Sequence, residues 1–233
     1  MKQALAEVLA RSDIWRGDRF AETPLPVLAS GFAELDAELP GGGWPRGALS
    51  EVLLENAGIG ELELMMPALR AVCAQEGWLL LVGTPHPLHA PAWRAAGLDL
   101  ARLAIVDVAS ERDALWAMEQ ALASGAPGAV LGWSQKADAR AVRRLQVAAA
   151  AGGTAAFLFR PFDTARQASS APLRIALAAE ADGLALSILK RRGPPLAAPL
   201  HLRLPRPVRH GSSLAGARPA PAAARRPSQP VRA

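Results

Sequence analysis

Apolar residues along this chain follow two alternating patterns. Val52-Leu53-Leu54, Trp78 to Val82, Leu103 to Val108, Ala129 to Trp133 and Thr154 to Phe159 are short, mostly apolar runs, with Asp107 the one charge among them. They predict strands covered on both faces, because such strands have no polar side to show. Between them apolar residues recur at helical spacing, as in Leu62, Met65, Met66, Leu69, Val72 and Cys73, then Leu115, Met118, Ala121 and Leu122, then Val142, Leu145 and Val147. These predict helices, the second capped by Ser110 with Asp113 and stopped by Gly125, the third over Ala137 to Ala151. Phe32, Leu35 and Leu39 predict a short helix before the first strand, ended by Pro40 and three glycines. Pro91 to Leu98 predicts another, with Trp93 as its core anchor. Arg160 to Ala171 reads as a mobile polar loop. Beyond it, Leu173, Ile175 and Leu177 alternate, as do Leu184, Leu186 and Ile188, around Asp182-Gly183, which predicts a hairpin. Pro199 to Leu204 would add one edge strand. The order of elements predicts an α/β fold: a doubly wound, mostly parallel sheet flanked by helices, with a C-terminal hairpin.

The flanks differ from this body. Residues 4–20 predict an amphipathic helix. Leu5, Val8 and Leu9 share a face, and Ile14, Trp15 and Phe20 continue it beside Arg16 and Arg19. It would dock on its own domain or on another chain. From Pro205 onward the chain is Pro, Ala, Arg, Ser and Gly, which cannot bury a core and predicts disorder. Three regions follow: an N-terminal helix at 1–22, a core at 23–204 and a basic tail at 205–233. Residues 1–189 carry 16 Lys and Arg against 21 Asp and Glu, whereas residues 190–233 carry 10 Lys and Arg and no acid. An acidic body with a basic tail points to an anionic partner, nucleic acid before membrane. The candidate contacts are Lys190, Arg191, Arg192, Arg203, Arg206, Arg209, Arg225 and Arg226, with Trp15 and Arg16 for a protein partner. A tail that only solubilises stands as the alternative. Arg140, Arg143 and Arg144 fit either a solvated helix face or a nucleic-acid or partner contact.

The stretch from Ala48 to Ala74 is where strand, glycine loop and helix occur in the order that cradles phosphate on loop amides. The chemistry of that motif is missing. Across Glu55, Asn56, Ala57, Gly58, Ile59, Gly60, Glu61 and Leu62, only Gly60 matches. The lysine position holds Glu61, and the hydroxyl that should bind magnesium is Leu62. A carboxylate beside a phosphate is repelled by about 1 kcal/mol in water and by several where the dielectric falls. The chain has only three lysines, Lys2, Lys136 and Lys190, and none follows a glycine. No nucleotide hydrolysis is expected here. His86 and His89 lack a third ligand in the sequence nearby, so no metal is expected. The single cysteine, Cys73, cannot form an internal disulfide, which agrees with a reducing cytoplasm. No signal peptide and no membrane-spanning stretch is predicted.

The run SGFAELDAELPGGGWPRGALSEV, from Ser30 to Val52, resembles the entry to a RecA-type ATPase core. The GGGWPRGAL segment, the lost P-loop lysine and Ile14-Trp15-Arg16-Gly17 make the chain similar to the ImuA family. These are RecA-like accessory proteins of bacterial mutagenic translesion synthesis, with the cell-division inhibitor SulA as a related degenerate member. The resemblance spans about residues 14–204. It implies that two acids are also missing. The strand ending at Val82 is followed by no acid before Asp99, where the family carries its water-activating glutamate. Gly132-Trp133-Ser134 lacks the acid that positions magnesium. It further implies a non-catalytic adaptor of the SOS response with no cofactor. Its implied partners are an ImuB-type inactive polymerase hub and the error-prone polymerase complex, with RecA and single-stranded DNA as further candidates. It implies a DNA-contacting role for the 160–171 loop, where Arg160 and Arg166 are the candidates. A SulA-like inhibitor of the tubulin-like division protein is the alternative, and a working ATPase is a second one.

Overall fold

The computed structural model describes residues 26–204. The N-terminal helix, Trp15, Arg16, Arg206, Arg209, Arg225, Arg226 and the tail lie outside the described residues.

An eight-stranded sheet forms the body. Its strands are β3 (Ala48–Leu54), β4 (Trp78–Val82), β5 (Leu103–Val106), β6 (Pro127–Trp133), β7 (Ala155–Pro161), β8 (Leu173–Glu180), β9 (Gly183–Lys190) and β10 (Leu200–Arg203). The order across the sheet is β10-β9-β8-β3-β7-β6-β4-β5. The six strands from β8 to β5 run parallel, and β9 and β10 add antiparallel at one edge. The class of fold is therefore mixed α/β with a mostly parallel sheet, and the hairpin and third edge strand fall where alternation placed them.

The helices are α1 (Ala33–Glu38), α2 (Glu61–Ala74), α3 (Ala90–Ala95), α4 (Glu111–Ser124) and α5 (Ala139–Gly152). Alternate residues of each central strand face opposite layers, which sorts the helices into two groups. Val52, Phe157, Phe159 and Ile175 pack with Leu64, Met65, Leu69 and Val72 of α2. Leu49, Ala156 and Leu158 pack with Met118 and Leu122 of α4 and Leu145 and Ala149 of α5. All seven residues of β3 are buried, as expected of a strand covered on both faces. Ser110 caps α4 through the Asp113 amide, and Asp138 caps α5 through the Ala141 amide. Burial raises the Cys73 thiol above its ordinary value, in line with a residue of the α2 apolar stripe.

One element escaped the sequence reading. Pro45-Arg46-Gly47 reads in the sequence as a turn into the first core strand. In the structure β1 (Val27–Leu28) pairs antiparallel with β2 (Trp44–Pro45), tying the entry segment down as a ribbon. Trp44 is fully buried edge-on against Phe157, with ring centroids 5.4 Å apart. Gly43 is required there, since a Cβ would lie 2.7 Å from the Leu28 carbonyl oxygen. No described helix is long and apolar enough to cross a membrane.

Candidate functional site

The loop after β3 lies at the carboxyl end of the sheet. From β3 the chain crosses to β4 on one side, and from β7 it crosses back to β8 on the other. Such a switch point opens the crevice where doubly wound sheets bind ligands. Residues 55–60 make the turn. Gly58 (φ +83°) and Gly60 (φ +115°) both take the left-handed region. Gly60 is the N-cap of α2, and its carbonyl accepts from the Leu64 amide at 3.0 Å.

The cradle expected from the sequence is present, but the chain itself fills it. The Glu61 side chain turns back onto its own loop. Its Oε1 accepts from the Gly58 amide at 2.8 Å and its Oε2 from the Gly60 amide at 3.2 Å. The residue is buried. These are the donors a phosphate would need, and the negative charge also suits the helix N-terminus. Leu62 is half-buried and packs against the core. A Cβ on Gly60 would meet Leu204 Cδ1 at 2.7 Å, so the end of β10 closes over the loop. Glu55 points to solvent. The sequence reading saw Glu61 as a defect; the structure gives it a partner.

A second carboxylate, missed in the sequence, organises the neighbouring loop. Glu51, in mid-β3, is wholly buried between two buried arginines. Arg160 Nη1 donates to Glu51 Oε1 at 2.5 Å, and Arg174 Nε lies 2.7 Å from Oε2 as an ion-pair contact outside hydrogen-bond alignment. The remaining guanidinium hydrogens reach the 160–171 segment and its surroundings. Arg160 Nη2 donates to the Ala137 carbonyl (2.6 Å) and to Gln167 Oε1 (3.3 Å). Arg174 donates to the carbonyls of Thr164 (3.0 Å), Ala165 (3.1 Å) and Gln167 (3.0 Å). A 3-10 turn covers Phe162–Arg166. The mobile, DNA-contacting loop expected here is corrected on this point. Arg160 is spent on Glu51, and the loop is clamped by its carbonyls. A charged residue inside each of three apolar strands was the available signal, since buried charges must be paired.

The cationic patch expected at Lys190-Arg191-Arg192 is also corrected. Arg191 turns inward, its side chain nearly buried, and donates to the Glu38 carboxylate at 2.7 Å. Lys190 donates to the Ser169 carbonyl at 2.8 Å, and burial, with Arg174 nearby, lowers its pKa. Arg192 lines a hollow of about 150 Å³ with Arg46 and Pro172. Arg203 pairs in register with Gly183 while Lys190 pairs with Arg174, which puts them at opposite ends of β9. Seven residues of strand separate them by about 23 Å. The four cations do not form one surface.

With this geometry in view, the comparisons fall on two related groups. Residues 47–156 match the family described as cell division inhibitor SulA. The chain is 35% identical over 112 residues to the cell division inhibitor SulA of Photorhabdus laumondii subsp. laumondii, covering 48% of this chain and 63% of that one. It is 31% identical over 131 residues to the protein ImuA of Caulobacter vibrioides, covering 54% of each. The chain thus spans less than two thirds of the length of either relative. The crystal structure of SulA from Pseudomonas aeruginosa aligns with 48% of this chain and 97% of its own, at 26% identity and a TM-score of 0.42.

Proposed function

We propose that this protein is a non-catalytic accessory protein of SOS-induced mutagenic translesion synthesis, built on a RecA-like core that has exchanged nucleotide for an internal anion. The observation that carries this reading is the Glu61 carboxylate seated on the Gly58 and Gly60 amides. A site that satisfies its own donors has no use for a triphosphate, and an incoming phosphate would also meet that carboxylate. The sheet order, with β3 central and helices on both faces, supports the RecA-like reading. The similarity to ImuA supports a role beside an ImuB-type hub, an error-prone polymerase, RecA and single-stranded DNA.

The test is co-purification of the full chain with an ImuB-type hub. Binding at equal strength with and without ATP is expected. No complex, or a complex that forms only with ATP, overturns the reading.

A SulA-like inhibitor of the tubulin-like division protein is favoured by one observation, the family match over residues 47–156. That match stops inside β7. It leaves out Arg160 and Arg174, which pin the clamped loop, and Leu184 and Leu204, which cover the cradle. Overexpression that turns undamaged cells into filaments would favour this second reading over the first.

A further inference from the structure

A groove of about 770 Å³ runs between α4 and α5, on the sheet face opposite α2. Trp116 stands in it 59% exposed, an unusual position for an indole with no partner ring. Arg112 lies one turn before it on α4. Lys136 and Arg140 border the groove at the α5 side, and Arg143 is exposed on the next turn of α5. Glu111, Asp113, Glu119 and Asp138 line it too; each is held in place by a contact within the fold, and Arg144 neutralises Glu119. Glu111 accepts from the Ser134 hydroxyl and from the Lys136 amide. Asp113 accepts from the Ser110 hydroxyl, Asp138 from the Ala141 amide, and Glu119 pairs with Arg144. Among the described residues, the side chains of Arg112, Lys136, Arg140 and Arg143 have no hydrogen-bond or ion-pair partner.

We propose that this groove binds a single strand of nucleic acid, with a base stacked on Trp116 and the flanking phosphates on Arg112, Lys136, Arg140 and Arg143. A flat π-face bordered by uncommitted cations on two helices is the recipe for sequence-tolerant single-strand binding. A duplex keeps its bases stacked away from the indole, and an acidic peptide would use the cations but offers the ring no plane to stack on. The site is separate from the nucleotide cradle. It rests on the single-stranded DNA named in the functional reading above and gives it a location, whereas the co-purification test contains no nucleic acid and can fail independently of it.

The experiment is fluorescence anisotropy of labelled oligo-dT with the purified full chain. Trp116→Ala should weaken binding about tenfold, and Trp116→Phe should recover most of the loss. Arg140→Glu with Arg143→Glu should weaken it further and flatten the salt dependence by roughly one to two units of logarithmic slope. The exposed positions should leave the thermal melt unchanged. Wild-type affinity in both groove variants, with loss only in Arg206→Glu with Arg209→Glu, overturns the proposal in favour of the tail. Equal affinity for duplex, or stronger binding of polyglutamate than of oligo-dT, overturns it as well.

Discussion

Two glutamates ten residues apart, Glu51 and Glu61, each hold a loop at the sheet, and they do so in opposite ways. Glu61 sits at the mouth of the cradle and reaches amides one and three residues away. Glu51 sits inside the sheet and reaches Arg160, 109 residues along the chain, and Arg174 beyond it. The first substitutes for a ligand, and the second neutralises charge that the core cannot otherwise tolerate. The difference predicts that Glu51 matters chiefly for stability, while Glu61 decides what the site will accept.

The largest effect should come from Glu51→Gln. It leaves two buried guanidinium groups facing a neutral amide, which should cost about 3–5 kcal/mol in urea denaturation. Cleavage at Arg166 by trypsin should rise with it, because the clamp on the loop is lost. A loss below 1 kcal/mol would mean that the arginines find other acceptors.

Glu61→Ala should cost less, about 1–3 kcal/mol, since its two amides lie near water. Its signature is qualitative. Millimolar phosphate should raise the melting temperature of the variant and leave the wild type unmoved, because only the variant has an empty cradle. Equal responses would break the contrast between the two carboxylates.

Gly60→Ala tests the same loop through its backbone. The left-handed φ and the contact with Leu204 should together cost about 1–3 kcal/mol.

The smallest effect concerns Lys190. Burial and Arg174 lower its folded-state pKa, so the unfolded chain holds that proton more tightly. Stability should therefore rise as pH climbs through the folded value toward the ordinary lysine value. Lys190→Met should remove that rise, as read from melts across the alkaline range.

The contrast also explains what was legible in the sequence. Glu61 was visible because its role is local: strand, glycine loop and helix lie within one stretch, and the substituted lysine stands out. What was invisible is that the same side chain would cap the loop, since that depends on the φ of Gly58 and Gly60. The strands and helices from β3 to β10 were legible from apolar spacing, most ends shifting by a residue or two, while β3 begins four residues before its apolar run and α3 ends three residues before Leu98. The pairing of Glu51 with Arg160 and Arg174 was not legible, and Arg160 reads in the sequence as a DNA contact, because the pairing exists only once β3, β7 and β8 lie side by side. The β1–β2 ribbon hid for a different reason. Two-residue strands carry no period, and only the crowding at Gly43 requires them. Arg191 misled because a run of three cations at a strand end looks like surface until Glu38 is known to be nearby.

The most direct measurement is a titration of the nucleotide-free full chain with a fluorescent ATP analogue. A cradle occupied by Glu61 predicts no saturable binding by the wild type up to millimolar nucleotide. Saturable binding at micromolar concentration would contradict it, and would show that Glu61 leaves Gly58 and Gly60 when a triphosphate arrives.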